Sequence, residues 1–361
     1  MPTASHQPMR GLQALVLLAL CAPCFAQDVR IGVLGLFHSR EFVVRPVPAS
    51  AVVVRVGDRT LVLDQSSGDD EINVLLDGNV IAARTRDGVI RGRSLTVAGR
   101  DHGPADFYLS IPGKITRRYH GTLEVTPSSG ALLAIISMDL ETAVASIVAA
   151  ESDPETPTEA LKAQAVAARS YLIAAKGRHR GFDFCDTTHC QFLRTPPDPH
   201  TAVARAAAST RGLVLAYNTQ LFAAMYTRSC SGRTRTPAEI GLPAGPYPYY
   251  SVECKYCRKH PSAWQRPVTP QEAAHLGASS ESARLAIDRL LGWNTVPSNN
   301  YNVKRAGNRL VLEGVGEGHG IGLCQSGAAA MAKEGATFAQ ILAHYYPNTS
   351  VTKYVGGKLG M

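Results

Sequence analysis

Two hydrophobic patterns follow one another along this chain. From Val29 to about Val125, short runs of Val, Ile and Leu alternate with Gly-Asp, Asp-Gly and Pro-Gly pairs, which is typical of strands joined by hairpin turns. From Ser137 to Ala175, apolar residues recur at helical intervals instead, which indicates α-helices. Strands followed by helices in this way predict an α+β fold with a β-rich N-terminal region.

The first predicted helix places a carboxylate on its apolar face. Five residues at helical spacing form that face: Leu140, Val144, Ile147, Val148 and Glu151. Ser137 or Asp139 can cap the start, and the Ser-Asp-Pro that follows Glu151 puts this glutamate in the last turn, where the helix dipole is negative. Apolar neighbours and the dipole both disfavour the carboxylate, so the pKa of Glu151 should be raised, as a general acid requires. A frayed, solvated helix end is the alternative interpretation.

The second predicted helix begins with a strong start signal. Thr156-Pro157-Thr158-Glu159 is the pattern of a capping box, with Thr156 as the N-cap and Glu159 bonding back to it. The helix that follows is rich in alanine and carries four larger polar side chains: Lys162, Gln164, Arg169 and Tyr171. Lys162 and Arg169 are seven residues apart and share a face, which is either a ligand-binding face or an ordinary solvated one.

The segment after the second helix holds the densest group of metal-binding side chains in the sequence. Its four members are His179, Cys185, His189 and Cys190. Two thiolates and two imidazoles suit a tetrahedral zinc ion. In an oxidising compartment a disulfide between Cys185 and Cys190 explains the same cysteines, so both alternatives are open.

Four more cysteines lie further along the chain: Cys230, Cys254, Cys257 and Cys324. Disulfides or a second structural metal are the two interpretations of this group, and the sequence does not determine a pairing. A glycine-rich run, Gly314 to Gly322, precedes Cys324 but lacks the Gly-Lys-Ser/Thr of a phosphate loop. We expect its glycines to let the backbone approach a bulky ligand, with His319 and Gln325 directed at that ligand. A histidine satisfied in the core is the alternative.

The N-terminus and the charge bear on where the protein acts. Arg10, the apolar run Leu12 to Leu20 and small residues before Gln27 predict an export signal over residues 1–26. No later stretch is apolar enough to span a membrane, so we expect an exported, periplasmic or extracytoplasmic protein. The formal net charge is +8, but the basic residues are scattered and no nucleic-acid motif is present. The charge therefore indicates weak attraction to an anionic polymer, or solubility alone.

Three motifs in order resemble the SpoIID/LytB family, which is associated with sporulation stage II protein D and with an amidase enhancer. The first is Val148–Glu151 followed by Glu159–Tyr171, the second lies within Asn218–Thr236, and the third is Gly318–Ala328. One departure is that Ser-Asp-Pro follows Glu151, where the family usually has Met-Pro. The acid itself is in place.

The resemblance implies a function and a domain division. Residues 113–352 would form a SpoIID/LytB-like catalytic domain, with alanine-rich helices around a glycan groove, after a β-rich region over residues 27–112. The implied activity is that of a cell-wall lytic transglycosylase, which cleaves MurNAc–GlcNAc β-1,4 linkages in peptide-poor strands of peptidoglycan and leaves 1,6-anhydro-MurNAc ends. The alternatives are a non-catalytic peptidoglycan-binding module that enhances a partner amidase, and a zinc-dependent hydrolase.

The resemblance also implies roles for individual residues. Glu151 would be the single catalytic acid and base. His179, Cys185, His189 and Cys190 would hold a structural zinc ion. From the residues themselves, we also expect seven side chains to contact the glycan: Lys162, Gln164, Arg169, Tyr171, Ser229, His319 and Gln325.

Overall fold

The structure, a computed structural model, describes residues 27–64, 68, 70–269, 272, 280–292, 295–307 and 309–360. The predicted export signal lies outside these residues. Within them, no helix has the length and apolar character needed to cross a membrane. The predicted α+β class is confirmed, because a β-rich N-terminal part is followed by a mixed part that contains most of the helices.

A large, mainly antiparallel sheet forms the N-terminal part. Its strands are β1 (Asp28–Val33), β2 (Glu41–Pro46), β3 (Ala51–Val56), β4 (Arg59–Asp64), β5 (Ile72–Asp77), β6 (Val80–Thr85), β7 (Gly88–Gly92), β8 (Leu95–Ala98), β9 (Ala105–Ile111), β10 (Ile115–Ser128), β11 (Ala131–Asp139) and β12 (Phe184–Cys185). The order is β12-β1-β11-β10-β9-β2-β5-β6-β7, with β3, β4 and β8 joined through β8 to β10. Buried and exposed positions alternate along strands such as β5 and β10, which places one face on the core.

The long strand β10 connects the two parts of this sheet. Its first half pairs with β9 and its second half with β11 and β8. The change of partner occurs at Gly121, which has φ 148° and leaves no room for a Cβ, since that atom would lie 2.3 Å from the carbonyl oxygen of Ser137. The predicted boundary near residue 112 falls in the turn before β10, and the division into domains stays a prediction.

Seven α-helices are described: α1 (Leu140–Glu151), α2 (Thr158–Ala174), α3 (Ala202–Ser209), α4 (Lys255–Lys259), α5 (Glu281–Leu291), α6 (Gln325–Lys333) and α7 (Phe338–Tyr345). Asp139 caps α1, as predicted, by accepting hydrogen bonds from the amides of Glu141 and Thr142. The capping box predicted for α2 is wrong. Its N-cap residue is Pro157, and the Glu159 carboxylate accepts hydrogen bonds from Lys162 Nζ and from the amide of Phe338 instead.

Helix α2 lies between two hydrophobic cores, and its alanines let both approach closely. Leu161, Ala165 and Ala168 face the core under the large sheet, whereas Ala163 and Val166 face a second core in the C-terminal part. Because the side chains on both faces of α2 are small, neighbouring helices and strands can pack close to the axis of α2 from both sides. The end of α1 and the start of α6 are thereby brought to the same side of α2.

Smaller sheets complete the C-terminal part. Their strands are β13 (Leu213–Tyr217), β14 (Gln220–Leu221), β15 (Tyr226–Thr227), β16 (Ala263–Val268), β17 (Tyr301–Ala306), β18 (Arg309–Val315), β19 (Leu323–Cys324), β20 (Ser350–Val355) and β21 (Lys358–Leu359). The short strands β15 and β19 pair in parallel. Tyr226 lies in β15, and Gln325 directly follows β19. The pairing of these strands places both residues next to the end of α1.

Candidate active site

Three distant segments converge on the last residue of α1. The Glu151 carboxylate Oε1 accepts hydrogen bonds from the amide of Phe192 at 2.9 Å and from the hydroxyl of Tyr226 at 3.4 Å. The carbonyl oxygen of Glu151 accepts from Gln325 Nε2 at 2.9 Å and from the Arg228 guanidinium at 3.3 Å. The residues that the structure describes offer no hydrogen bond to Oε2. Main chain and side chain of Glu151 are therefore both held, while one carboxylate oxygen stays available.

The surroundings of Glu151 make its carboxyl a weaker acid than usual. Burial raises the pKa of Glu151 from 4.5 to about 7. The Phe192 amide, the Tyr226 hydroxyl and the charges of Arg228 and Arg194 act in the opposite direction, by stabilising the carboxylate. The rise in pKa agrees with the direction expected from the sequence, and burial is its largest cause. Near neutral pH, the protonated and ionised forms of Glu151 are both well populated.

An open depression of about 40 Å³ lies beside Glu151. Helix ends and loops line it with mixed polar and small side chains, among them Ser152, Gln164, Arg228, Gln325 and Ala329. This volume holds little more than a water molecule or a sugar hydroxyl. A polymeric ligand would therefore lie across the mouth of the depression and place a single group inside it.

An exposed ion pair stands at the edge of the depression. Arg228 donates to both carboxylate oxygens of Asp153, at 2.6 and 2.7 Å, and the Asp153 side chain is 65% exposed. Asp153 belongs to the Ser-Asp-Pro segment in which this chain departs from the family pattern. Arg228 thus connects this segment to the Glu151 carbonyl and presents a positive charge to the solvent beside the acid.

Two of the seven predicted glycan contacts border the depression. Gln164 accepts a hydrogen bond from Ser152 through Oε1, and its buried Nε2 has no partner among the described residues. Gln325 reaches the Glu151 carbonyl, as stated above. Lys162 lies on another side of α2, where it pairs with Glu159 at 2.7 Å and lies over the Phe338 ring.

Arg169 and Tyr171 lie in the protein interior. The Arg169 side chain is 0% exposed and pairs with both carboxylate oxygens of Glu141, at 2.9 and 2.6 Å. Glu141 is in the first turn of α1, about 15 Å from Glu151 along the helix axis. Tyr171 packs against Phe184, with ring centroids 5.9 Å apart. The geometry therefore gives both residues packing partners and keeps them from the depression.

Ser229 and His319 are also held by the protein itself. Ser229 Oγ is buried and hydrogen-bonds with Ser262 Oγ at 3.0 Å. His319 Nδ1 accepts a hydrogen bond from the amide of Ile321 at 3.0 Å, and burial lowers the pKa of His319, which favours the neutral ring. Nδ1 of His319 thus has a protein partner, and the side chain is partly buried.

The glycines around His319 approach neighbouring protein backbone, whereas their predicted approach to a bulky ligand stays a prediction. A Cβ on Gly322 would lie 1.9 Å from the carbonyl oxygen of Met225, and one on Gly316 would lie 2.8 Å from that of Ser229. The close approach that these glycines permit is to neighbouring protein backbone. Their role in the structure is to bring the segment before α6 against β15.

The sequence missed three residues that contact Glu151. Tyr226 and Arg228 belong to the second motif, but neither is adjacent in sequence to the acid, so spacing could not associate them with it. Phe192 contributes its backbone amide, for which residue type gives no signal. Arg194, whose guanidinium lies 4.0 Å from the centre of the Phe192 ring, adds positive charge nearby.

The predicted Cys/His group is brought together. The ligand atoms of His179, Cys185, His189 and Cys190 lie within 4.8 Å of one another. Three distances between a histidine nitrogen and a cysteine sulfur in this group are 3.2, 3.5 and 3.7 Å. In a tetrahedral zinc site the distance between a nitrogen ligand and a sulfur ligand is about 3.6 Å. The described cysteines carry free thiols. This donor set fits zinc, and because four protein ligands complete a tetrahedron, the ion would be structural.

The predicted stability of a Glu151→Gln variant tests the burial of this carboxyl. The pKa of Glu151 is higher in the folded chain, at about 7, than the unperturbed value of 4.5. The free energy of unfolding therefore has its full Glu151 contribution below about pH 4.5 and loses it as the pH rises through about 7. We expect Glu151→Gln to be more stable than wild type by about 1–3 kcal/mol at pH 8 and to match it at pH 4.

Denaturant unfolding at both pH values measures this difference, and the exposed Glu155→Gln variant serves as the control. Equal stability of Glu151→Gln and wild type at pH 8 would show that the carboxyl is solvated.

Comparison with known proteins gives several relatives. Residues 128–217 match the family described as stage II sporulation protein, SpoIID. An uncharacterized protein of Brachyspira hyodysenteriae is 27% identical over 268 residues, which cover 65% of this chain and 73% of the relative. Stage II sporulation protein D of Bacillus subtilis is 27% identical over 262 residues, which cover 60% of this chain and 75% of the relative. The amidase enhancer of Bacillus subtilis is 26% identical over 274 residues, which cover 54% of this chain and 38% of that protein.

Proposed function

We propose that this chain, which belongs to the SpoIID/LytB family, is a lytic transglycosylase that cleaves the glycan strands of peptidoglycan with Glu151 as its acid and base. The family is associated with cell-wall lytic activity, so a cell-wall role is the broad conclusion. The finer proposal depends on the site. Its main support is a half-buried carboxyl with a pKa of about 7 at the edge of an open depression.

In the proposed reaction Glu151 first donates a proton and then accepts another. Protonated Glu151 donates to the bridging oxygen between MurNAc and GlcNAc while the bond from MurNAc C1 to that oxygen breaks. The resulting carboxylate then accepts the proton of the MurNAc 6-hydroxyl as its oxygen bonds to C1. The products are a GlcNAc 4-hydroxyl and a 1,6-anhydro ring, and no water is consumed. A carboxyl that is half ionised near neutral pH suits both steps.

The remaining contacts hold the acid during these steps. Hydrogen bonds from the Phe192 amide and the Tyr226 hydroxyl to Oε1 fix the carboxyl and stabilise it when it is ionised. Oε2 is then the oxygen that faces the glycan. Arg228, Gln164 and Gln325 at the depression are the residues for which we propose glycan contacts.

Asp153 is the carboxylate to consider for a different outcome. Ordinary glycosidases use a second carboxylate as nucleophile or base, and Asp153 borders the same depression. Both of its carboxylate oxygens accept hydrogen bonds from Arg228, which leaves them less free to attack a sugar and favours the single-carboxylate route. Participation of Asp153 would give hydrolytic products.

A second candidate is a non-catalytic module that binds the wall and enhances a partner amidase. The similarity to an amidase enhancer favours it. A non-catalytic module requires no proton transfer, so this candidate function does not explain the raised pKa of Glu151.

Product analysis separates these functions. The mature protein is incubated with peptide-free glycan strands in ¹⁸O-water, and the ends are analysed by mass spectrometry. Anhydro ends without ¹⁸O are expected. Reducing ends that carry ¹⁸O would indicate a hydrolase, whereas intact strands together with faster release of stem peptides by an added amidase would indicate an enhancer. Parallel incubation with peptide-bearing strands shows whether stem peptides must be removed first.

A further inference from the structure

A second group of four cysteines lies buried on the other side of the site. Cys230 is in the loop after β15, Cys254 and Cys257 are at the start of α4, and Cys324 is in β19. Each is at most 2% exposed, and their sulfur atoms all lie within 4.8 Å of one another. The fold thus brings four thiols from three separate segments to one point.

The spacing of these sulfur atoms agrees with a shared metal ion. Cys257 Sγ and Cys324 Sγ are 3.5 Å apart, close to the edge of about 3.8 Å that four thiolates around zinc define. Cys254 and Cys257 form a Cys-x-x-Cys pair at the start of a helix, which is a frequent arrangement in four-cysteine zinc sites. In this arrangement the four sulfur atoms converge on one centre, whereas disulfides would draw them together in separate pairs.

Hydrogen-bond donors surround the sulfur atoms. Cys324 Sγ accepts from the amides of Cys230 at 3.3 Å and of Gly327 at 3.5 Å. The hydroxyl of Tyr345 lies 3.5 Å from Cys254 Sγ, and that of Ser229 lies 3.5 Å from Cys257 Sγ. Such donors stabilise the negative charge of thiolate ligands. Neutral thiols or disulfides in a hydrophobic core would gain much less from them.

The backbone near the group is shaped around it. A Cβ on Gly327 would lie 2.5 Å from Cys254 Sγ and 2.0 Å from the Tyr345 hydroxyl oxygen. Only glycine lets the first turn of α6 approach the sulfur atoms this closely.

We propose that Cys230, Cys254, Cys257 and Cys324 form a second structural zinc site. Four thiolates leave no ligand position for water, so the ion cross-links the three segments and has no part in the chemistry. It holds the β15–β19 pair and the start of α6 together. Gln325 follows Cys324 directly, and Arg228 precedes Cys230 by two residues, so the site braces both donors to the Glu151 carbonyl. Only this last consequence rests on the proposed function.

Zinc stoichiometry tests the proposal without any activity assay. The full mature chain is purified without reductant, and zinc per chain is measured by plasma mass spectrometry. We expect one ion for each of the two groups. The Cys185→Ser/Cys190→Ser and Cys254→Ser/Cys257→Ser variants should each lose one ion and keep the other. When cobalt replaces zinc in the Cys185→Ser/Cys190→Ser variant, its absorption spectrum should be that of a site with four thiolate ligands.

Mapping of the free thiols tests the alternative that these cysteines form disulfides. Alkylation after denaturation in a chelator, followed by mass spectrometry, should modify all four cysteines of the wild-type chain. The proposal would be overturned by disulfides among Cys230, Cys254, Cys257 and Cys324. It would also be overturned if the wild-type chain binds a single zinc ion and the Cys185→Ser/Cys190→Ser variant binds none. Both measurements on the wild-type chain decide the question even if the Cys254→Ser/Cys257→Ser variant does not fold.

Discussion

Replacement of Glu151 by glutamine is expected to lower the rate of glycan cleavage by about a thousandfold, because glutamine keeps the hydrogen bonds to Phe192 and Tyr226 but carries no proton to donate. Release of anhydro fragments from peptide-free strands measures the rate. Binding to the strands should change little, since the shape of the site is preserved.

The matched control is Glu155→Gln, which makes the same chemical change on an exposed residue four positions away and should cleave at the wild-type rate. The wild-type rate should also decline as the pH rises through about 7, where the protonated fraction of Glu151 falls. A Glu151→Gln variant that cleaves normally, or that fully enhances an amidase, would assign the protein to the non-catalytic alternative.

Replacement of Arg169 by methionine is expected to lower the free energy of unfolding by about 3–5 kcal/mol, because it leaves the Glu141 carboxylate without its buried partner. Chemical denaturation at pH 7 measures the loss. A Glu141→Gln change added to Arg169→Met should restore part of the stability, since the uncompensated charge is then removed.

Lys162→Met provides the comparison, because this lysine lies seven residues earlier in the same helix and its ion pair with Glu159 is partly exposed. We expect a loss below about 1 kcal/mol there. If Arg169→Met keeps wild-type stability but fails to bind glycan strands, Arg169 contacts the substrate, as the family resemblance implies, and the internal ion pair is incidental.

Local pattern predicted most of the scaffold around the acid. The apolar spacing of α1 and the Asp139 cap located the helix and placed Glu151 in its last turn, because these are interactions within one turn of chain. The start of α2 was misplaced by one residue, since the Glu159 carboxylate bonds to the amide of Phe338, a partner from another helix. Tertiary contacts of this kind cannot be predicted from the residues next to them in the sequence.

The neighbours of the acid were harder to predict than the acid itself. Arg169 and Lys162 look alike in the sequence because both are cations on one helix, but only the packing of α1 and α3 against α2 buries Arg169. Phe192 acts through its amide, which every residue except proline possesses. The glycines before α6 accommodate neighbouring backbone, a use that the sequence pattern does not distinguish from contact with a ligand.

The convergence of distant segments on Glu151 has a consequence for the timing of activity. The contacts that bury its carboxyl and hold its carbonyl span 41 residues to Phe192, 75 to Tyr226 and 174 to Gln325. Contacts of such long range form late as a chain folds. In a partly folded copy we therefore expect an ordinary, solvent-exposed glutamate, so that the proposed cleavage activity would emerge only with the finished fold.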